Sequence, residues 1–306
     1  MSDSLRPAPS SGPPTAPGAP ADVIHDIGYR HYDGPRLGRG YAVRSLYGLT
    51  LRGSFGLGRS IKSKVLPMGL LVLMCLPAAI IVAVAVYLKA GKLPIEYPHY
   101  LNVMQFVIAV FLASQAPVAL SRDLRFMTLP LYFSRPLTSG DYVRAKFAAM
   151  ASAMFILTAL PVLIMWIGSL LASMDFRYNI EHLAFGLFAA ALYALLYTAI
   201  GTVIASLTPR RGFGVAAIIA VLLISEAISS IVFRVLQNHQ HLSASYWANL
   251  INPGELVDAT TTWMFKLRIE GQSSVPSDLG GYVFIAVIVL VAAAAYGLLV
   301  RRYRKI

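Results

Sequence analysis

The sequence predicts an all-α integral membrane protein with six transmembrane helices. Three observations carry this. Of the 306 residues, 57% are apolar, only 13% are charged, and the apolar residues gather into six runs of about twenty or more. A soluble domain averages about 25% charged residues, and a helix needs about 20 apolar residues to cross about 30 Å of hydrocarbon. The mean hydropathy of +0.64 agrees.

Charge orients the prediction. The chain carries 26 Lys and Arg against 14 Asp and Glu, a formal +12. Such basicity alone would suit nucleic acid, but in so apolar a chain it marks cytoplasmic loops, where Lys and Arg accumulate. No nucleic-acid partner is therefore expected, and membrane lipids are. The one cysteine, Cys75, lies inside an apolar run, so neither a disulfide nor a thiolate metal site is built within the chain.

Residues 1–21 contain six prolines among Ala, Ser and Gly and lack the apolar core of a signal peptide, which predicts a disordered tail. With the basic linker it forms a first region, 1–40, ahead of a transmembrane domain, 41–306. Within 43–55, Leu46, Tyr47, Leu51 and Phe55 share a helical face between Arg44 and Arg52, which predicts an amphipathic interfacial helix before the first crossing. Gly48 and Gly53 weaken it and leave an irregular linker as the other reading.

The crossings are expected at 65–88, 101–120, 147–174, 183–207, 213–233 and 282–300. Pro77, Pro117 and Pro161 fall inside them as tolerated kinks. The third run is long enough to tilt or project. If both termini share a side, 20 of the 26 bases lie on it, including Arg210 and Arg211 in a short turn and Arg301, Arg302, Arg304 and Lys305 at the C-terminus. That side is predicted to be cytoplasmic, giving N-in and C-in.

Two connections are more than turns. In Ser121–Lys146, Pro136 breaks the backbone and Thr138 with Asp141 forms an S/T-x-x-D start for a helix running into the third crossing. Between the fifth and sixth crossings, Asn252-Pro253-Gly254-Glu255 supplies an N-cap and a Pro at the first helical position. Leu256, Val257, Thr260, Trp263, Met264 and Leu267 follow at helical spacing. This predicts an amphipathic or re-entrant helix before the last crossing, with Trp247 and Trp263 at interfacial depth.

Catalytic patterns are missing. There is no G-x-x-x-x-G-K-[ST] loop, so the chain is not expected to be an enzyme or to bind ATP by that route. His239 and His241 lack a nearby third ligand and read as solvated polar residues rather than a metal site. Glu226 is the one acid well inside a crossing, where an ionisable group costs a few kcal/mol unless it faces protein or water. Ser225, Ser229 and Ser230 flank it. Two readings stand: the wall of an outward-facing substrate path, or a hydrogen-bonded Glu that joins helices. Gly186 with Ala190, Gly201 with Ala205 and Ala293 with Gly297 allow close helix approach, within the chain or between chains. Tyr132 and Phe133 beside Arg135 have the composition of a protein-binding surface, or of a loop dipping into the interface.

The loop R122-D-x-R-x-x-T-L-P-L-Y-x-S-R-P-L-T-x-x-D-Y-V-x-x-K146, the basic segment before the first crossing, six crossings with both ends inside and the long loop before the last crossing resemble the permease subunits of ABC exporters of the type-2 class, the type V exporter fold. Tyr29 to Arg39 is similar to permeases of actinobacterial ABC systems. The resemblance covers roughly residues 40–306. It implies a plasma-membrane permease, with ATP and Mg held by separate cytosolic ABC ATPase subunits and no cofactor of its own. It also implies a second permease copy or paralogue, as homodimer or heterodimer. By the same resemblance the helix starting near Thr138, with Asp141, Tyr142 and Arg144, would couple to the ATPase alongside Tyr132 and Arg135. The 246–267 segment, with Trp263, would cap a substrate path shared with Glu226, Ser229 and Ser230. An ion-coupled secondary transporter or channel that uses Glu226 is the alternative.

Overall fold

The computed structural model describes Gly34 and residues 37–58, 60–134, 137–267 and 275–304. The Pro-rich tail, most of the Tyr29 to Arg39 stretch, Arg135 and Pro136 lie outside the described residues. The chain divides into two compact units, Met1–Arg36 and Leu37–Ile306. Of the first only Gly34 is described, and the second carries every helix among the described residues.

All regular structure among the described residues is helical, and six helices are long and apolar enough to cross a membrane. They are α2 (Ile61–Tyr87), the α4 and α5 pair (Gln105–Ala119 and Ser121–Arg125), α7 (Ser139–Leu171), α8 (Phe176–Leu207), α9 (Arg211–Asn238) and α12 (Asp278–Tyr303). The chain is thus a multi-pass membrane protein. Most helices outrun the apolar segments that announce them, because the hydrogen-bond ladder continues until a cap stops it. Thr138 and Asp141 form a reciprocal capping box at the start of α7, as their spacing predicts. The Asp175 side chain accepts from the Arg177 and Tyr178 amides, and that of Ser277 accepts from the Gly280 amide. At 33 residues α7 is about 50 Å long, well beyond the hydrocarbon thickness.

The expected second crossing, 101–120, is not one helix. A short α3 (Tyr97–Val103) precedes α4, and the chain breaks helical geometry at Met104, with φ −92° and ψ 11°. Pro98, in the first turn of α3, lacks an amide that would have no helical partner there.

Helix α1 (Arg39–Ser54) stands where the interfacial helix is predicted. Its apolar face packs on the bundle: Leu46 and Phe55 are buried, Phe55 meets Phe111 of α4, and the Tyr47 hydroxyl donates to Ser152 of α7 at 2.9 Å.

The core is centred on α4. Of the residues in its most apolar stretch 72% are buried, against 50% in α7 and α8 and 17% in α2 and α9, so α4 is the central post and α2 and α9 present broad outward faces. Small residues permit this packing. A Cβ at Gly201 would run into the Leu112 side chain of α4, and one at Gly186 into Tyr97 and Val162. Both pairs named in the sequence therefore serve packing within the chain. Gly297 of the third pair has open space around it. Tyr100 of α3 donates to the carbonyl of Met74, beside the Leu73 carbonyl that Pro77 deprives of its helical partner.

Beyond α9 the chain turns back on itself. Short α10 (Leu242–Ser245) and a 3-10 turn (Tyr246–Leu250) pack along α9, where the Ser229 hydroxyl donates to the Ala248 carbonyl at 2.9 Å. Asn252 then reaches Glu226, which lies twelve residues short of Asn238, about 18 Å along the α9 axis. From there α11 (Pro253–Met264) returns toward the start of α12. Asn252 caps it, accepting from the Gly254 amide at 2.9 Å, with Pro253 at its first position, as the sequence predicts.

Candidate functional site

At the end of the bundle holding this hairpin, α3 and α11 bring four chemically active groups together. On α3, His99 and Asn102 stand three residues apart, and on α11, Glu255 and Asp258 do the same, so each pair occupies one helical face. His99 Nδ1 lies 3.3 Å from Asp258 Oδ2. Asn102 Nδ2 donates to Glu255 Oε1 at 3.2 Å and to Asp258 Oδ2 at 3.3 Å, so one amide bridges two carboxyls. The Asp258 side chain is wholly buried while that of His99 is 28% exposed, which makes His99 the route from the cluster to water. Two buried acceptors, Asp258 Oδ1 and Asn102 Oδ1, have no hydrogen-bond partner among the described residues.

These contacts set the electrostatics. Burial pushes the Glu255 carboxyl above the usual carboxylate range. The Asn102 amide and His99 pull it back, while Asp258 and Glu226 push it further up. The hydrogen bond to Asp258 raises the His99 imidazole against the opposing effect of burial. Both carboxyls accept from one Asn102 nitrogen, so they lie close enough to repel when both are ionised.

Glu226 lies behind this cluster, on α9. Gln105 Nε2 approaches its Oε1 at 3.5 Å, and the two line a cavity of about 10 Å³ with Tyr197, Leu222 and Asn252. That is barely room for one water. Gly254 makes the approach possible, since a Cβ there would collide with the Gln105 amide. The Tyr193 hydroxyl secures the same turn by donating to the Gly254 carbonyl at 3.0 Å.

The other residues expected on a substrate path do not converge on Glu226. Ser229 is buried under the 3-10 turn, and Ser230 is exposed. Trp263 stands at the far end of α11, where its Nε1 donates to Asp278 at 3.0 Å and its ring covers Gly281 and meets Tyr282 edge-on. It clamps α11 to α12.

The opposite, basic end holds the residues expected to couple to an ATPase. Asp141 is bound by Arg39 through two nitrogens, at 2.6 and 2.9 Å, and Thr138 accepts from the same guanidinium at 3.3 Å. Tyr142 is completely buried; its hydroxyl donates to Asp123 at 2.7 Å and its ring packs on Tyr132 and Tyr303. Lys146 pairs with Asp123 at 2.8 Å and donates to the Ala119 carbonyl at 2.9 Å. Arg144 is exposed and donates to the Tyr296 hydroxyl at 3.3 Å. Thus Tyr142 and Asp141 pin α5 and α1 to α7, and the outward surface belongs to other residues. Phe126, Met127 and Leu131, at the turn between α5 and α6 (Leu129–Phe133), are each more than 60% exposed beside exposed Arg122 and Arg125.

Glu255 reads in the sequence as part of a helix start and Asp258 as an acid of an outer loop; Leu131 reads as a residue of a loop that dips into the interface, and Phe126 and Met127 as unremarked loop residues. The signal for the first pair is the two i,i+3 polar pairs on short segments beside apolar runs. Among the described residues no group of His, Cys, Asp and Glu is arranged to hold a metal ion. Comparison with protein-family models finds no match to the chain, and comparison with curated proteins finds none either.

Proposed function

We propose that the chain is the membrane-spanning subunit of an ATP-binding cassette exporter, working in the plasma membrane beside a second permease copy or paralogue and separate cytosolic ATPase subunits that bind ATP and Mg. The observation that carries this reading is the apolar and basic edge formed by Arg122, Arg125, Phe126, Met127 and Leu131 between two crossings. It is held rigidly from behind by the bonds of Asp123 to Lys146 and Tyr142. An exposed apolar cluster rimmed by arginine is what a docking protein needs, and a chain without a nucleotide-binding loop needs such a partner for energy. The excess of bases on the same side supports its being cytoplasmic, with both termini inside. In that orientation the 242–264 hairpin re-enters the outer half of the membrane and closes the path above Glu226, and α1 lies along the inner face.

The test is capture. The tagged full-length chain expressed with its genomic neighbours should co-purify with an ATPase, and Phe126→Ser with Met127→Ser and Leu131→Ser should abolish capture while the chain still folds. A chain that captures no ATPase with this edge intact overturns the reading. The Gln105 to Glu226 contact favours a second one, ion-coupled transport, in which activity survives ATP depletion and collapses with the ion gradient.

A further inference from the structure

We infer that a groove between the C-terminal ends of α8 and α12 binds one anionic phospholipid, with its phosphate on Arg301 and Arg302 and its acyl chains along Val203, Leu207 and Leu298. The inference needs a bilayer around the six helices and does not rest on the exporter reading.

Helices α8 and α12 pack together, and near their ends at Leu207 and Tyr303 they bound an open groove of about 340 Å³. Its walls are Val203, Ser206 and Leu207 from one helix and Leu298, Arg301 and Arg302 from the other. Arg302 Nε is buried and has no hydrogen-bond partner among the described residues. A guanidinium nitrogen withdrawn from water without an acceptor is costly. Neither arginine forms an ion pair among the described residues. Asp123, which acts on the neighbouring Tyr303, is committed to Lys146 and Tyr142. The Ser206 hydroxyl donates to the Val203 carbonyl at 2.7 Å, so the two guanidinium groups are the donors that this groove offers a ligand. The planar fork of arginine matches the oxygens of a phosphate.

The remaining walls select a lipid over a free anion. Leu207 and Leu298 are 57% and 56% exposed, a surface suited to hydrocarbon. Leu298 precedes Arg301 by three residues, about 4.5 Å deeper along the axis, and Val203 lies about one turn deeper than Leu207. Charge at the rim with an apolar wall beneath it follows the order of a phospholipid, phosphate outward and chains inward. Inorganic phosphate would leave that wall unmatched, and an acidic peptide would have to lie in hydrocarbon. Arg210 and Arg211, exposed just beyond Leu207, add to the positive field, and basic pockets between crossings suit anionic headgroups.

Two ordinary roles for these arginines fall short. Cations in the last turn complement a helix dipole, and long basic side chains at a membrane edge reach out to water. Exposed Arg301 can do both, but neither role gives the buried Arg302 Nε an acceptor. A second groove, lined by Tyr296, Gly297, Val300, Arg301 and Arg304, has no such nitrogen among the described residues.

Native mass spectrometry of the full-length protein in detergent, mixed with phosphatidylglycerol or with phosphatidylcholine of the same chains, counts the lipid retained. Phosphatidylglycerol should be preferred by about fivefold for each arginine engaged. Arg302→Gln should reduce that preference by about fivefold or more. Leu298→Trp, which keeps both charges and fills the groove, should release the phosphatidylglycerol. Arg144→Gln with Arg304→Gln, around the second groove, should leave the preference unchanged. If either Arg302→Gln or Leu298→Trp fails to fold, the other decides. Equal retention of the two lipids overturns the inference, as does retention unchanged in Leu298→Trp. An equal loss in the Arg144 and Arg304 variant would mean a general surface field instead of a site. Displacement of the lipid by millimolar inorganic phosphate would make a free anion the ligand and overturn the inference as well.

Discussion

Arg39 grips Asp141 with two nitrogens, Nε at 2.6 Å and a terminal nitrogen at 2.9 Å, across 102 residues of sequence. The same carboxylate accepts from the Thr138 amide at 3.1 Å, so one side chain starts α7 and anchors α1 to it. Two jobs on one carboxylate predict an ordered series. Arg39→Ala should free the start of α1, seen as faster amide exchange over the first turns of that helix with α7 unchanged. Thr138→Ala should cost about 1 kcal/mol through the lost cap and leave α1 docked. Asp141→Ala should do both, and equal exchange in Arg39→Ala and wild type would refute the anchor.

The bond of Lys146 to Asp123 is a nearly buried ion pair, with side-chain exposures of 8% and 16%, and Tyr142 donates to the same oxygen of Asp123. Removing one partner of such a pair strands the other charge and costs about 3 kcal/mol or more. Lys146→Met should therefore lower thermal stability strongly, while Lys146→Met with Asp123→Asn should recover much of the loss. A double-mutant cycle in detergent measures the coupling. Additive losses would mean that the two side chains act independently.

The crossings and the caps are legible in the sequence because each rests on neighbours along the chain. Lipid demands about twenty consecutive apolar residues per helix, and a capping box needs only Thr138 and Asp141 three positions apart. The acid cluster is not legible in that way. Asp258 meets His99 and Asn102 across 159 and 156 residues, and Glu255 meets Asn102 across 153. Helix α11 has twelve residues, too few to read as a crossing, so its acids look like loop acids until α3 is placed beside it. The polar stripe around Glu226 fails for a related reason. Sharing a helix face does not say what covers it, and the 3-10 turn covers Ser229 while leaving Ser230 exposed. For α1 the pattern shows an apolar face but not whether lipid or α7 receives it.

Three glycines separate packing within the chain from the outer surface. A Cβ at Gly186 would lie 2.8 Å from both Tyr97 Cβ and Val162 Cγ1, and one at Gly201 would lie as close to Leu112, whereas Gly297 has nothing within 4 Å. Overpacking costs about 1–3 kcal/mol. Gly201→Leu and Gly186→Leu should therefore lower the melting temperature or prevent folding, and Gly297→Leu should leave it unchanged or raise it slightly through better helix propensity. Equal losses at all three positions would show that the α12 face is also buried in the folded unit.

The pH dependence of stability follows from the cluster on α3 and α11. Burial raises Glu255 above its unfolded value, so its favourable contribution is complete below the ordinary carboxylate range and is lost as pH rises through the raised folded value. His99 is raised by its bond to Asp258, so its contribution is complete below about 6.5 and is lost as pH rises through its own raised value. Both signs agree: the contact is strongest in mild acid and weakens toward alkaline pH, each unit of displacement being worth about 1.4 kcal/mol. The melting temperature of the full-length protein should therefore fall between about pH 5 and pH 8. Glu255→Gln, which keeps the shape and removes the carboxyl, should flatten that fall and be more stable than wild type at the upper end. His99→Gln should remove the remaining part near neutrality. A melting temperature that rises over this range in wild type would reverse both assignments, because it would require the α3 to α11 contact to be held by ionised Glu255 and neutral His99.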